Sequence, residues 1–140
     1  MGRINAGRVV LGGLVAGLIT NIGEYILHEV ILKSQWAAVQ QQFNLPPQAG
    51  STIAVFVIAG FVSGIVTIWL YAAVRPRLGA GAMTATKVGA IVWFFGCLMA
   101  MMAPLFMGML PSNLVWTMVA WCFVEIIVAT VVGASLYKEV

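Results

Sequence analysis

Four stretches of this chain are almost entirely apolar, and shorter segments with polar residues, glycine and proline separate them. A helix needs about 20 apolar residues to cross a bilayer, at about 1.5 Å of rise per residue. Each stretch meets that requirement, so the pattern predicts an all-α, integral membrane four-helix bundle in a single domain. The predicted spans are at about residues 9–32, 52–74, 86–107 and 113–137.

The longest connection, residues 33–51, has a helical pattern of its own. Trp36, Val39 and Phe43 recur at spacings of three and four, with glutamines between them. That pattern is typical of a short amphipathic helix that lies on the membrane surface. We expect this interfacial helix at about residues 35–45, because two prolines follow and end it.

Local signals also predict the ends of the second span. Ser51 or Thr52 is suited to cap its first turn, because a hydroxyl oxygen accepts hydrogen bonds from unpaired backbone N–H groups. Pro76, between two arginines, is expected to stop the helix near residue 74, since proline lacks the N–H that continues a helix.

The first span carries polar residues that a lipid-facing helix would not tolerate. Gly13, Gly17, Asn21, Glu24 and His28 follow one another at intervals of four, four, three and four, so they share one helical face. Intramembrane polar side chains must face protein or water. We therefore expect this face to point into the bundle, with its glycines at a close helix contact.

The second and fourth spans carry features that complement this face. Gly60 and Gly64 form a Gly-x-x-x-Gly pair, which favours close packing within the chain or between chains. Glu125 lies about 18 Å into the fourth span and Glu24 about 12 Å into the first, counted from the same side. We expect both carboxyl groups to share a pocket with the polar end of the first span. Such a pair suits protonation or a bound cation, and it equally suits a structural role in which one protonated glutamate joins helices.

Composition supports the membrane assignment and excludes other classes. The chain has 140 residues, of which 62% are hydrophobic and 8% charged, with a mean hydropathy of +1.04. Soluble domains carry about 25% charged residues. The net charge of +3 comes from seven basic residues spread along the chain, so it does not indicate a nucleic-acid partner.

The basic residues predict the orientation of the chain. Six of the seven flank the termini or the connection between the second and third spans: Arg3, Arg8, Arg75, Arg77, Lys87 and Lys138. Only Lys33 falls on the other side. By the positive-inside rule, both termini and that connection are expected to be cytoplasmic, with the interfacial helix in the first outer loop.

Side chains that bind metals and cofactors are few. The sulfur-rich segment from Cys97 to Met109 fits a Cu(I) path or flexible packing, and adjacent Met101 and Met102 point about 100° apart, which argues against the path. His28 is the only histidine, so haem ligation by two histidines would need two copies of the chain. The sequence contains no nucleophile–base pair, phosphate loop or dinucleotide motif. We expect no cofactor and no enzymatic activity.

Three segments carry a resemblance to known proteins. They are Asn21-Ile22-Gly23-Glu24, the run from Trp69 to Arg77 with the following Gly79 and Gly81, and Glu125-Ile126-Ile127 leading to Leu136-Tyr137. On these segments, the sequence resembles a family of small, uncharacterised bacterial integral membrane proteins with four spans. The likeness covers most of the chain. The resemblance implies four helices and a bacterial inner-membrane location. It implies no activity, ligand or catalytic residue.

Two functions fit these features. The first is a non-enzymatic, transporter-like or channel-like homo-oligomer in the lipid bilayer, with Glu24, His28 and Glu125 lining a polar pocket. The alternative is an accessory subunit whose glycine faces pack against a larger membrane complex.

The predicted orientation can be tested in intact cells. A reporter fused to the C-terminus should be active in the cytoplasm, and a cysteine introduced by Gln41→Cys should react with an impermeant thiol reagent from outside. The chain without that substitution controls for the two native cysteines. Labelling at residue 41 only after the membrane is broken would show that the orientation is wrong.

Overall fold

The computed structural model describes residues 3–139, and within that range all regular structure is helical. Four helices are long and apolar enough to cross a membrane, and we call them spans 1 to 4. They cover Ala6–Ile31, Gly50–Leu78, Ala82–Phe106 and Ser112–Ser135. The prediction of an all-helical chain with four long apolar helices is therefore confirmed.

The start of span 2 differs from the prediction. The helix begins at Gly50, and Ala49 flanks it without a side-chain hydrogen bond, so the predicted cap by Ser51 or Thr52 is wrong. The backbone N–H of Thr52 instead bonds to the carbonyl of Ala49 at 3.0 Å. This first turn is exposed, so its remaining N–H groups can bond water without a capping side chain.

The end of span 2 also differs, because the helix continues through Pro76 to Leu78. A proline near the end of a helix removes only one backbone hydrogen bond, which the neighbouring turns can tolerate. The helix ends at Gly79, whose φ of +85° reverses the chain and whose N–H bonds to the carbonyl of Arg75 at 2.9 Å. Glycine adopts such a φ without steric cost, so it sets the helix end in place of the proline.

Asn5 and Tyr137, near the two ends of the described range, lie at the same end of the bundle, which we call the terminal end. There the N–H of Asn5 donates to the hydroxyl of Tyr137 at 3.3 Å, and the N–H of Gly81 donates to the hydroxyl of Tyr71 at 3.0 Å. The two tyrosine rings meet edge to face, 6.0 Å apart. The connection between spans 2 and 3 is therefore at the terminal end as well.

A ten-residue helix, Lys33–Gln42, lies at the opposite, distal end and connects spans 1 and 2. This connecting helix begins two residues and ends three residues before the predicted boundaries of 35 and 45. Its Val39 is buried against Leu27 and Leu32 near the end of span 1 and Leu114 at the start of span 4. The packing holds the connecting helix beside the polar end of span 1.

Span 1 packs against spans 2 and 4, and span 3 completes the bundle mainly against span 4. Glycines bring spans 1 and 2 together. A Cβ at Gly13 would overlap the backbone of Ile65, and one at Gly17 would lie 2.7 Å from the Cα of Phe61. A Cβ at Gly64 of span 2 would overlap the backbone of both of these span 1 glycines. Such contacts bring the two backbones close enough to exclude any larger side chain.

Spans 1 and 4 approach each other closely at Gly12 and Gly133. A Cβ at Gly133 would lie 2.6 Å from the carbonyl oxygen of Gly12. The buried residues around this contact include Ile68 and Tyr71 of span 2. The terminal half of the bundle is therefore closed by glycine contacts and an apolar cluster.

Replacing Gly17 with leucine should force spans 1 and 2 apart, because any side chain there must displace the backbone at Phe61. We expect a loss of about 1–3 kcal/mol, the usual cost of overpacking, measured by the denaturation midpoint in mild detergent. Gly96→Leu is the matched control, since nothing lies within 4 Å of a Cβ built at Gly96. Equal stability of the two variants would contradict the contact between spans 1 and 2.

Candidate functional site

Glu24, in span 1, has a hydrogen-bond partner at each carboxyl oxygen. His28, one turn later, places its Nε2 2.8 Å from Oε2. Cys122 of span 4 donates its thiol to Oε1 at 3.5 Å. The side chain of Glu24 is 38% exposed and that of His28 31%, so this pair lies at the edge of the bundle.

Trp36 determines which nitrogen of His28 carries the hydrogen. The indole Nε1 of Trp36, in the connecting helix, lies 2.8 Å from Nδ1 of His28. An indole N–H can only donate, so Nδ1 accepts and the ring hydrogen is on Nε2. His28 in this arrangement is neutral and donates to Glu24. A chain of hydrogen bonds therefore runs from the connecting helix through His28 to the carboxyl group of Glu24.

Glu125, in span 4, is buried, with 8% of its surface exposed. Its Oε2 accepts a hydrogen bond from Nε1 of Trp121, one turn earlier, at 2.8 Å. Its Oε1 is buried and has no hydrogen-bond partner among residues 3–139. The carboxyl group lies against Gly23 of span 1, where a Cβ would overlap it. Glycine at this position therefore leaves the space that the carboxyl group occupies.

The two carboxyl groups line one cavity between the four spans, with a volume of about 70 Å³. Its polar wall consists of carboxyl and hydroxyl side chains, from Thr20, Glu24, Ser63, Thr67, Glu125 and Thr130. A water molecule takes up about 30 Å³ in the liquid, so the cavity has room for about two waters.

The cavity wall contains two acidic groups and no basic one. An ionised carboxylate that is buried without a partner costs several kcal/mol, so a proton or a bound cation stabilises such a site. The chemistry that this geometry supports is reversible binding of positive charge.

Of the four residues predicted for the polar pocket, the two glutamates line the cavity, His28 bonds to Glu24 but does not line it, and Asn21 lies apart. The amide nitrogen of Asn21 donates to the carbonyl of Val57 at 3.1 Å. Its side chain also fills the space over Gly60, where a Cβ would overlap it. Asn21 therefore joins spans 1 and 2, because Gly60 has no side chain to exclude it.

No protein-family model, curated protein or solved structure matches this chain. The resemblance to bacterial four-span membrane proteins therefore stays a prediction. What can be said of the site rests on its own geometry.

Sequence reasoning missed the residues that hold the two carboxyl groups in place. Trp121 precedes Glu125 by four residues, and that spacing, which places two side chains on one helical face, was a usable signal. The thiol of Cys122 meets Glu24, and no spacing rule relates these two residues, because they lie on different spans. No spacing rule could pair Trp36 with His28, because the chain turns between them at Leu32.

Two π-helical segments lie beside the site. Ile26–Ile31 contains His28, and Phe94–Met99 contains Cys97, which is buried in one cluster with Cys122. A π turn inserts an extra residue and rotates the following side chains relative to a regular α-helix. Such segments change which side chains face the site, and regular helical spacing does not reveal them.

The sulfur-rich part of span 3 does not form a common path. Cys97 is 8% exposed and points into the bundle, whereas Met99 and Met107 are 43% and 73% exposed on its surface. Among residues 3–139, no group of three or more His, Cys, Asp and Glu side chains is placed to hold a metal ion. These positions favour packing over a Cu(I) path.

Gly23→Ala should destabilise the protein, because the added methyl group would overlap the carboxyl group of Glu125. We expect a cost of about 1–3 kcal/mol, read from the unfolding midpoint in mild detergent. In a Glu125→Ala background the same change should cost much less, since the displaced carboxyl group is gone. Additive effects of the two substitutions would contradict the contact.

Proposed function

We propose that this is a multi-pass protein of the bacterial inner membrane that acts as a small transporter-like oligomer for protons or small cations. Glu125 is the group that binds the positive charge, and Glu24 lines the same cavity. The observation that carries the proposal is the carboxyl group of Glu125, which belongs to a residue of the cavity wall and whose Oε1 is buried without a partner among the described residues. Ionisable residues at membrane depth commonly mark ion pathways, because their burial is costly without such a role.

The surroundings of the cavity favour a transporter-like cycle rather than an open channel through one chain. On the distal side, hydrogen bonds lead from Glu24 through His28 to Trp36 in the connecting helix. Toward the terminal end, the buried cluster around Ile68 and Tyr71 closes the bundle. A site with a polar route on one side and a seal on the other must change shape to release its ion across the membrane.

The alternative, an accessory subunit of a larger complex, is favoured by the distal half of span 2. Residues 51–59 are all exposed, so the rest of the chain leaves much of this helical segment uncovered, although Asn21 contacts it at Val57. Lipid can cover such an apolar segment as well as a protein can, so this observation carries less weight than the buried carboxyl group of Glu125.

Flux in liposomes tests the transporter proposal. The purified protein should collapse an imposed pH or Na⁺ gradient, and Glu125→Gln should fold normally but lose that flux, because glutamine cannot exchange a proton or neutralise a cation. Stability of the variant is checked by its unfolding midpoint and elution volume.

Glu29→Gln is the matched control for this experiment. Glu29 lies one residue after His28, is exposed, and does not line the cavity. Its substitution removes one carboxylate without touching the site and should leave the flux unchanged. Flux that survives in Glu125→Gln, or no flux in the unsubstituted protein, would contradict the proposed transport. Co-purification with fixed partners and no flux would support the accessory role instead.

A further inference from the structure

The cavity between the four spans presents oxygen atoms and apolar groups in its wall, and neither nitrogen nor sulfur side chains line it. We propose that this cavity binds one monovalent cation of the size of Na⁺, held by the carboxyl group of Glu125 and by threonine hydroxyl oxygens. The proposal deepens the proposed function and rests on it, since it names the ion that the carboxyl group of Glu125 takes.

Two side chains from span 4 have oxygen lone pairs available to such an ion. Glu125 is more than nine-tenths buried, at 8% exposure, and its Oε1 has no partner among the described residues. Thr130 is 1% exposed, and its hydroxyl hydrogen is donated to the carbonyl of Ile126 at 2.6 Å. The Thr130 oxygen can therefore only accept a hydrogen bond or coordinate a cation.

The neighbouring spans supply further hydroxyl groups. Thr20 of span 1 and Thr67 of span 2 line the same cavity, so oxygen atoms face it from three helices. Carboxylate and hydroxyl oxygens are hard ligands, which favour alkali and alkaline-earth cations over transition metals. The softer groups nearby, His28 and Cys122, both bond to Glu24 and do not line the cavity.

The charge and the volume of the site favour a monovalent ion over a divalent one. Each oxygen of Glu24 already accepts a hydrogen bond, from His28 or Cys122, whereas Oε1 of Glu125 has none, so we assign the single positive charge to Glu125. A divalent ion such as Mg²⁺ usually keeps several of its waters. The small volume of about 70 Å³ therefore suits an ion that gives up waters more readily than Mg²⁺ does.

Binding is measured on the full chain in mild detergent, apart from any flux. Equilibrium binding of radioactive Na⁺ and the thermal unfolding midpoint are compared in sodium, potassium and choline chloride at equal ionic strength. We expect saturable Na⁺ binding and a rise of the midpoint with Na⁺ concentration, because a ligand that binds only the folded state stabilises it. Choline, which is too large for the cavity, should give no rise.

Two threonine variants provide the matched comparison. Thr130 and Thr117 both donate their hydroxyl hydrogen to the carbonyl four residues earlier in span 4, but only Thr130 lines the cavity. Thr130→Val should weaken Na⁺ binding by about tenfold, which corresponds to about 1.4 kcal/mol. Thr117→Val loses the same local hydrogen bond and should bind Na⁺ like the unsubstituted chain. Glu125→Gln should abolish the Na⁺ effect.

The outcomes separate this inference from the transport proposal. Saturable Na⁺ binding that needs Glu125, without flux in liposomes, would support the cation site and contradict transport. Flux of protons with no Na⁺-dependent binding or stabilisation would overturn the cation site and leave transport intact. A Na⁺ effect that persists in Glu125→Gln, or that Thr130→Val and Thr117→Val weaken equally, would also overturn the assignment of the site.

Discussion

The carboxyl group of Glu125 occupies the space beside Gly23, at the contact between spans 1 and 4. A polar group at that depth is costly unless a partner satisfies it, and here Trp121 bonds one carboxyl oxygen while the other is buried without a partner among the described residues. Much of the site depends on this one placement. Glycine at residue 23 makes room for the group, and Glu125 lines the cavity together with Glu24.

The bundle combines a tightly packed end with an end built around polar groups. In the terminal half, glycines at residues 12 and 133 bring spans 1 and 4 into backbone contact, with an apolar cluster around them. In the distal half, every residue of span 2 from 51 to 59 is exposed. The tight half provides a rigid support, because backbone contacts at glycine leave little room for adjustment. The cavity lies where the two halves meet.

The connecting helix is tied to the site by hydrogen bonds and by packing. Trp36 holds His28 in the tautomer that donates to Glu24, while Val39 is buried against the ends of spans 1 and 4. A displacement of the connecting helix would therefore remove the donor to Nδ1 of His28. The position of the connecting helix therefore affects the hydrogen bonding of the Glu24 carboxyl group.

The sequence by itself determined the four long apolar helices, since their length and hydrophobicity are local properties that the membrane requirement makes easy to recognise. Regular helical spacing also predicted that Glu24 and His28 share one helical face. The number of residues from the span ends predicted that Glu125 lies at a similar depth in the membrane. Only the tertiary structure decided which faces meet. It put Asn21 against Gly60 instead of in the cavity and brought Trp36 back to His28. Span 2 also continues past Pro76, because glycine at residue 79 ends that helix. Such outcomes depend on close backbone approach and on partners distant in the sequence, neither of which hydrophobic periodicity encodes.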